Sequence, residues 1–194
     1  IAGEAEQLLN LTPAKEKTDI NDSVEEKIQD LDNKRGAEGL LGITTGFKEL
    51  DRILMGWQNG QELVTIVGRV NQGKSWLLLK FLSAAHQAGK KVLLYSGEMS
   101  KFSVAYRTDT LGMNYSNRQL TFGTISDADY EQYKKDIKKN AEQLQEYHVY
   151  TPKDLGGKLL DIPTLRHLIK KHKPDIVGID QLSLMTDYRH AREK

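Results

Sequence analysis

The sequence predicts an α/β protein with a parallel sheet covered by helices on both faces, and three observations predict it. Residues 63–67 (Leu-Val-Thr-Ile-Val), 92–95 (Val-Leu-Leu-Tyr) and 176–179 (Ile-Val-Gly-Ile) are short runs with an apolar, largely β-branched character. Strands that are apolar throughout belong to parallel sheets buried on both faces, whereas a half-exposed strand alternates. Segments of helical periodicity separate these runs, as parallel connections require. Between the first run and the helix after it lies a glycine-bearing segment of eight residues, Gly68-Arg69-Val70-Asn71-Gln72-Gly73-Lys74-Ser75.

Each element follows in order. Residues 1–22 hold Thr12-Pro13, several charges and no sustained apolar period, the pattern of a linker or arm. Ser23-Val24-Glu25-Glu26 has the form of a capping box. Val24, Ile28 and Leu31 then recur at helical spacing and Gly36 offers a stop, giving a helix of about three turns. So narrow a stripe is not stable alone and must dock, either on its own domain or on a neighbouring subunit. The globular part begins near Leu40. Phe47, Leu50 and Leu54 predict a short helix, and Gly56 and Asn59-Gly60 turn the chain into the strand at 63–67. A helix is expected from about Ser75 to Ala88, stopped by Gly89, and another from Ser100 to about Leu111. A further helix runs from a Ser126 cap to about Leu144, with Tyr130, Tyr133, Ile137, Ala141 and Leu144 on one face and lysines on the other. Residues 147–151 suggest a short strand. Pro163 suits a first helical turn, and that helix continues to Pro174. No internal repeat is present.

Bulk properties narrow the class. A chain of 194 residues, 38% hydrophobic and 28% charged, suits one globular domain of ordinary size. No apolar run approaches the ~20 residues of a membrane-spanning helix. The first residues lack the basic flank and apolar stretch of a signal peptide. With no cysteine there is neither a disulfide framework nor a thiolate metal site, which fits a cytoplasmic location. The net charge of +1 conceals an asymmetry: residues 1–40 hold ten acids and five bases, and the remainder 17 acids and 23 bases. A mildly basic body with an acidic arm suits nucleic-acid contact, and equally suits solvated lysine faces.

The eight-residue segment fits the phosphate-loop pattern G-x-x-x-x-G-K-[ST] in the context that pattern needs, strand before and helix after. Gly68 and Gly73 let the backbone wrap an anion, and the N–H groups of Arg69, Val70, Asn71, Gln72 and their neighbours point at phosphate near a helix N-terminus. Lys74 supplies positive charge to the β- and γ-phosphates, and the Ser75 hydroxyl can ligate magnesium. A nucleoside triphosphate, ATP with Mg²⁺, is therefore the expected ligand. Asp180 follows the strand at 176–179, and ligands of open α/β sheets gather beyond the carboxyl ends of strands. It can hold magnesium through water opposite Ser75, or simply begin a turn. Glu98 lies just past the second strand, where it can orient the water that attacks the γ-phosphate, or be a solvated loop glutamate. Gln181 is a candidate phosphate sensor.

These residues resemble a known family. The run Thr44-Thr45-Gly46-Phe47-Lys48-Glu49-Leu50-Asp51, the strand and phosphate loop, Tyr95-Ser96-Gly97-Glu98-Met99-Ser100, and Ile179-Asp180-Gln181-Leu182-Ser183-Leu184-Met185 are similar to the ATPase domain of DnaB-type replicative DNA helicases. Arg107, nine residues after Glu98, matches an arginine of that family. The similarity spans about residues 40–190 and implies a RecA-like P-loop NTPase core, here of phage type. It implies that Lys74 and Ser75 contact phosphate and magnesium, that Asp180 is the second magnesium carboxylate, and that Glu98 is the base. It also implies that residues 1–38 form a linker with a docking helix, and that residues 39–194 form the N-terminal part of the ATPase domain. The implied partners are single-stranded DNA, neighbouring subunits of a hexameric ring, a primase and a helicase loader. Gln181 departs from the family's tyrosine, and Val70-Asn71 replaces a proline-serine pair. The chain ends 14 residues after Asp180, so a fragment is expected, truncated after the Asp180 strand and lacking the DNA loops and arginine finger. Rival expectations on the same core are a RecA-like recombinase, a loader or regulatory ATPase, and a non-hydrolysing nucleotide-dependent interaction module.

Overall fold

The computed structural model describes residues 24–36, 39–58, 60 and 62–186. The chain forms two compact units, residues 1–39 and residues 40–194. In the first, helix α1 (Val24–Gly36) has Glu25 and Glu26 in its first turn and Lys34 and Arg35 in its last, complementing the helix dipole at both ends. Lys34 pairs with Asp30 one turn back at 2.6 Å. Val24, Ile28 and Leu31 are all exposed, so the apolar stripe is uncovered. The expected Ser23 cap lies outside the described residues.

The second unit has the element order α2 (Lys48–Leu54), α3 (Lys74–Gln87), β1 (Val92–Ser96), α4 (Lys101–Met113), α5 (Asn117–Phe122), α6 (Asp127–Gln143), β2 (Tyr147–Tyr150), α7 (Ile162–His172) and β3 (Ile176–Asp180). Short 3₁₀ turns cover Pro152–Leu155 and Leu182–Leu184. Serine caps set the starts of three helices. Ser100, Ser116 and Ser126 accept from the backbone N–H of Ser103, Gln119 and Asp129, and open α4, α5 and α6. Asp161 does the same for α7, with Pro163 in the first turn as the sequence predicts.

The sheet is parallel, with strand order β2-β1-β3. Central β1 is buried along its whole length. Its alternate side chains serve two cores. Val92 and Leu94 pack with Leu79, Leu82 and Val104 of α3 and α4, while Leu93 and Tyr95 pack with Leu160 and Leu168 near α7. Full burial of each such leucine stabilises by about 1.5–3 kcal/mol. Gly178 of β3 brings α3 close to the sheet, since a Cβ there would meet Leu82 Cδ1 at 2.6 Å. That close approach fixes the height of α3, and hence of its N-terminus, above the end of β3.

The segment predicted as a strand at 63–67 is not one. Residues 62–69 form no regular element, and Leu63 and Val67 are 95% and 88% exposed. High β-propensity does not make a strand without a hydrogen-bonded neighbour, and among the described residues β3 pairs only with β1. Ile66 is half-buried, and the segment lies along a groove it shares with Leu78 and with Val177 and Ile179 of β3. The helix α5 is a further difference from the sequence-based expectation. Its signals, the Ser116 cap and Gly123 at positive φ, enclose only six residues.

The Thr44–Asp51 motif has a structural basis. Asp51 accepts from the Thr45 N–H at 2.7 Å and the Thr44 hydroxyl at 2.5 Å. Burial pushes its pKa up, but these hydrogen bonds outweigh it and hold the carboxyl below its usual range. Gly46 sits at φ 78 against Ala84 of α3, with a Cβ distance of 2.5 Å, so this turn requires glycine.

Candidate nucleotide site

Parallel pairing of β1 with β3 places Ser96 opposite Asp180, so both strands end at the same level. The residues just after each end are thereby neighbours in space. Gly97 donates its N–H to the Asp180 carbonyl at 2.6 Å, and a Cβ at position 97 would lie 2.9 Å from Leu184 Cδ1. A side chain there would have to displace Leu184. Glu98 then projects beyond the sheet, and the Ser96 hydroxyl accepts from the Met99 N–H at 3.0 Å to fix the turn.

The phosphate-loop segment ends at the N-terminus of α3. Asn71 and Gly73 adopt positive φ of 62 and 81. Gly73 caps the helix without a side-chain bond, and no acid lies in the first turn. The positive end of the helix dipole is therefore open to an anion. Within the loop, Arg69 donates its N–H to Gln72 Oε1 at 3.2 Å, and Lys74 Nζ donates to the Arg69 carbonyl at 2.8 Å.

Loop, strand ends and helix α4 enclose a cleft of about 440 Å³. Val70, Asn71, Gly73, Lys74, Ser75, Glu98 and Asp180 all line it. The predicted residues of separate segments are thus brought together. Gly68, Arg69 and Gln72 are not among the lining residues. Asp180 is 7% exposed, and its Oδ2 has no hydrogen-bond partner among the described residues. A buried carboxylate oxygen without a partner is costly unless a cation or water meets it. With the Ser75 hydroxyl on the same cleft, the donors are hard oxygens of the kind magnesium takes.

Three lining residues lie outside the site that the sequence predicts. Trp76 and Arg107 meet face-on, the guanidinium carbon 5.0 Å from the ring centroid, and join the first turn of α3 to α4. Met99 completes that wall. Trp76 directly follows Ser75, and Arg107 carries only its spacing from Glu98, so neither announces the contact. Gln181 lines the cleft too, and its amide donates to Glu98 Oε1 at 2.8 Å.

Comparison with known proteins gives a consistent result. A "Probable replicative DNA helicase" of Trieres chinensis is 28% identical over 188 residues, covering 92% of this chain and 40% of its own length. The "Replicative DNA helicase DnaB" of Helicobacter pylori is 27% identical over 163 residues, covering 83% of this chain and 32% of its own. The "DNA repair protein RadA" of Campylobacter jejuni is 42% identical, but over 80 residues, 41% of this chain and 18% of its own. The chain thus spans well under half the length of these relatives. Among solved structures, "The Structure Of A DnaB-Like Replicative Helicase And Its Interactions With Primase" superposes with TM-score 0.63 at 19% identity, over 95% of this chain and 46% of that one. A second solved structure, of an isolated ATPase domain, gives 0.66 at 20% identity, over 87% of this chain and 60% of that one. These likenesses show the RecA-like ATPase fold. Residues 42–194 match the family model of the DnaB-like helicase C terminal domain, and the chain belongs to that family.

Proposed function

We propose that this chain is part of the ATP-hydrolysing motor of a ring-shaped replicative DNA helicase. The observation that carries the reading is the convergence of Lys74, Ser75, Glu98 and Asp180 from separate segments on one cleft. The open N-terminus of α3 and the phosphate-loop N–H groups would bind the triphosphate, with Lys74 leaving the Arg69 carbonyl to reach the β- and γ-phosphates. Ser75 and Asp180 would hold magnesium, the latter through water. A bound magnesium ion supplies charge neutralisation across the phosphates.

Glu98 would act as general base. Water oxygen attacks the γ-phosphorus, the bond from phosphorus to the β,γ-bridging oxygen breaks, and the water proton passes to the Glu98 carboxylate. General-base assistance of this kind contributes about 10²–10⁴-fold. Gln181 is a positioning residue: its amide fixes the carboxylate it touches. Arg107 and Trp76 would close the cleft on the α4 side.

Residues 1–38 are proposed as the linker whose helix α1 docks on the adjacent subunit, consistent with the uncovered Val24, Ile28 and Leu31. Residues 39–194 form the N-terminal part of the ATPase domain. The ring would be hexameric, would track single-stranded DNA with strong salt dependence, and would work in the cytoplasm of a bacterium or phage host with a primase and a loader. Among the described residues no helix is long and apolar enough to cross a membrane.

The match to the DNA repair protein over 80 residues favours a second reading, a recombination or repair ATPase on the same core. Assays on the oligomeric protein separate the two. ATP-dependent unwinding of a forked duplex without strand exchange supports the helicase; strand exchange without unwinding overturns it.

A further inference from the structure

A cluster of metal-ligating side chains lies on strand β2 and helix α7, outside the nucleotide cleft. Glu146, His148 and Tyr150 alternate along or just before β2 and so share one face of the strand. The intervening residues, Tyr147 and Val149, pack instead into the core beneath α3 and α4. His172, the last residue of α7, meets this face of the strand at His148 and Tyr150. His148 Nε2 is 3.0 Å from Glu146 Oε2, and His172 Nε2 is 2.7 Å from the Tyr150 hydroxyl. The two imidazole rings lie 3.8 Å apart between centroids, tilted by 41°. One ligand atom from each of Glu146, His148 and His172 lies within 4.8 Å of the other two.

We propose that Glu146, His148 and His172 form a binding site for a divalent transition-metal ion, best suited to zinc. Two imidazoles and one carboxylate are a common three-residue zinc set, leaving a fourth position for water. Zinc–ligand bonds of about 2.0–2.2 Å put tetrahedral ligands roughly 3.3 Å apart. The three ligand atoms already lie within 4.8 Å of one another, so a small closure brings them to that spacing. Access is open, since the side chains of His148 and Glu146 are 30% and 62% exposed. Nitrogen ligands distinguish the site from the all-oxygen set near Ser75 and Asp180, which suits magnesium. Tyr150 completes the surroundings: its hydroxyl orients the His172 ring in the way outer partners of metal-binding histidines do.

The ion would tie β2, which borders the described sheet, to the end of α7. Without it, Glu146 and His148 pair with each other and His172 keeps its bond to Tyr150.

The test is titration of the nucleotide-free chain with zinc and, for a spectroscopic signature, cobalt(II). One ion per chain is expected, with a visible cobalt band and a rise in Tm on adding zinc. His148→Gln and His172→Gln should each weaken zinc binding by more than about tenfold and remove the Tm rise. His86→Gln, and Asp180→Asn in the magnesium set, should leave zinc binding unchanged. Glutamine keeps a polar group of similar reach, and circular dichroism checks that each variant is folded. Undiminished zinc affinity in both histidine variants would overturn the site. So would failure of the parent chain to bind zinc at about 100 μM, a concentration corresponding to about 5.5 kcal/mol, or equal loss in His86→Gln.

Discussion

The side-chain amide of Gln181 donates a 2.8 Å hydrogen bond to Oε1 of Glu98 across 83 positions of sequence. The parallel register makes the contact: Ser96 and Asp180 are paired, and each of the two residues lies just beyond its own strand. A single N–H on one carboxylate oxygen leaves the other oxygen to face a water. Gln181→Ala should therefore lower ATP turnover by about ten- to a hundredfold while leaving ATP affinity within about twofold. Steady-state kinetics with a separate nucleotide titration checks this. Equal losses in turnover and affinity would make Gln181 part of the binding surface instead.

Lys74 rests on the Arg69 carbonyl, 2.8 Å away, with its ammonium held at the mouth of the loop. Lys74→Ala should weaken ATP binding by more than about tenfold, or about 1.4 kcal/mol. Fluorescent-nucleotide titration gives the value. Unchanged affinity would place the nucleotide elsewhere.

The buried Oδ2 of Asp180, without a hydrogen-bond partner among the described residues, predicts a magnesium-specific effect. Asp180→Asn should reduce the extra thermal stabilisation that magnesium adds to bound ATP, while stabilisation by ATP with EDTA stays as in the parent. A variant that keeps the full magnesium increment would exclude Asp180 from the ion's surroundings.

Asp154 supplies a pH prediction. Its hydrogen bond with Lys101, at 2.7 Å, and then that with Thr151 hold its carboxyl down to about 2, from an ordinary value of 3.8. A carboxyl with depressed folded-state pKa contributes stability above the unfolded value, and that contribution is lost as pH falls through the folded value. Asp154→Asn should therefore be less stable than the parent above about pH 4, with the gap narrowing between pH 4 and pH 2. Urea titrations across that range measure it. A gap that is constant with pH would mean that the substitution acts through packing of the turn alone.

Much of this architecture is legible from local pattern. The strands at 92–96 and 176–180, the caps at Ser100 and Ser126, and the positions of Glu98 and Asp180 at strand ends all follow from periodicity and spacing within a few residues. The loop's strand at 63–67 is where local pattern fails, because a strand is a property of its neighbours as much as of its own side chains. Contacts set by register are hidden for the same reason. Gln181 is visible as a polar residue beside Asp180, but its partner depends on how β1 and β3 align. Trp76 and Arg107 meet through the packing of α3 on α4, which neither residue's local sequence announces. The histidines on β2 and α7 have no short-range spacing to mark them; the alternation of Glu146, His148 and Tyr150 is the one local trace.

Hydrolysis at the cleft is tested most directly by Glu98→Gln, with turnover and ATP affinity measured side by side. Turnover should fall by about 10²–10⁴-fold with affinity retained, as expected for loss of a general base. Turnover close to that of the parent would contradict the role of Glu98, and with it the reading of this cleft as a hydrolytic site.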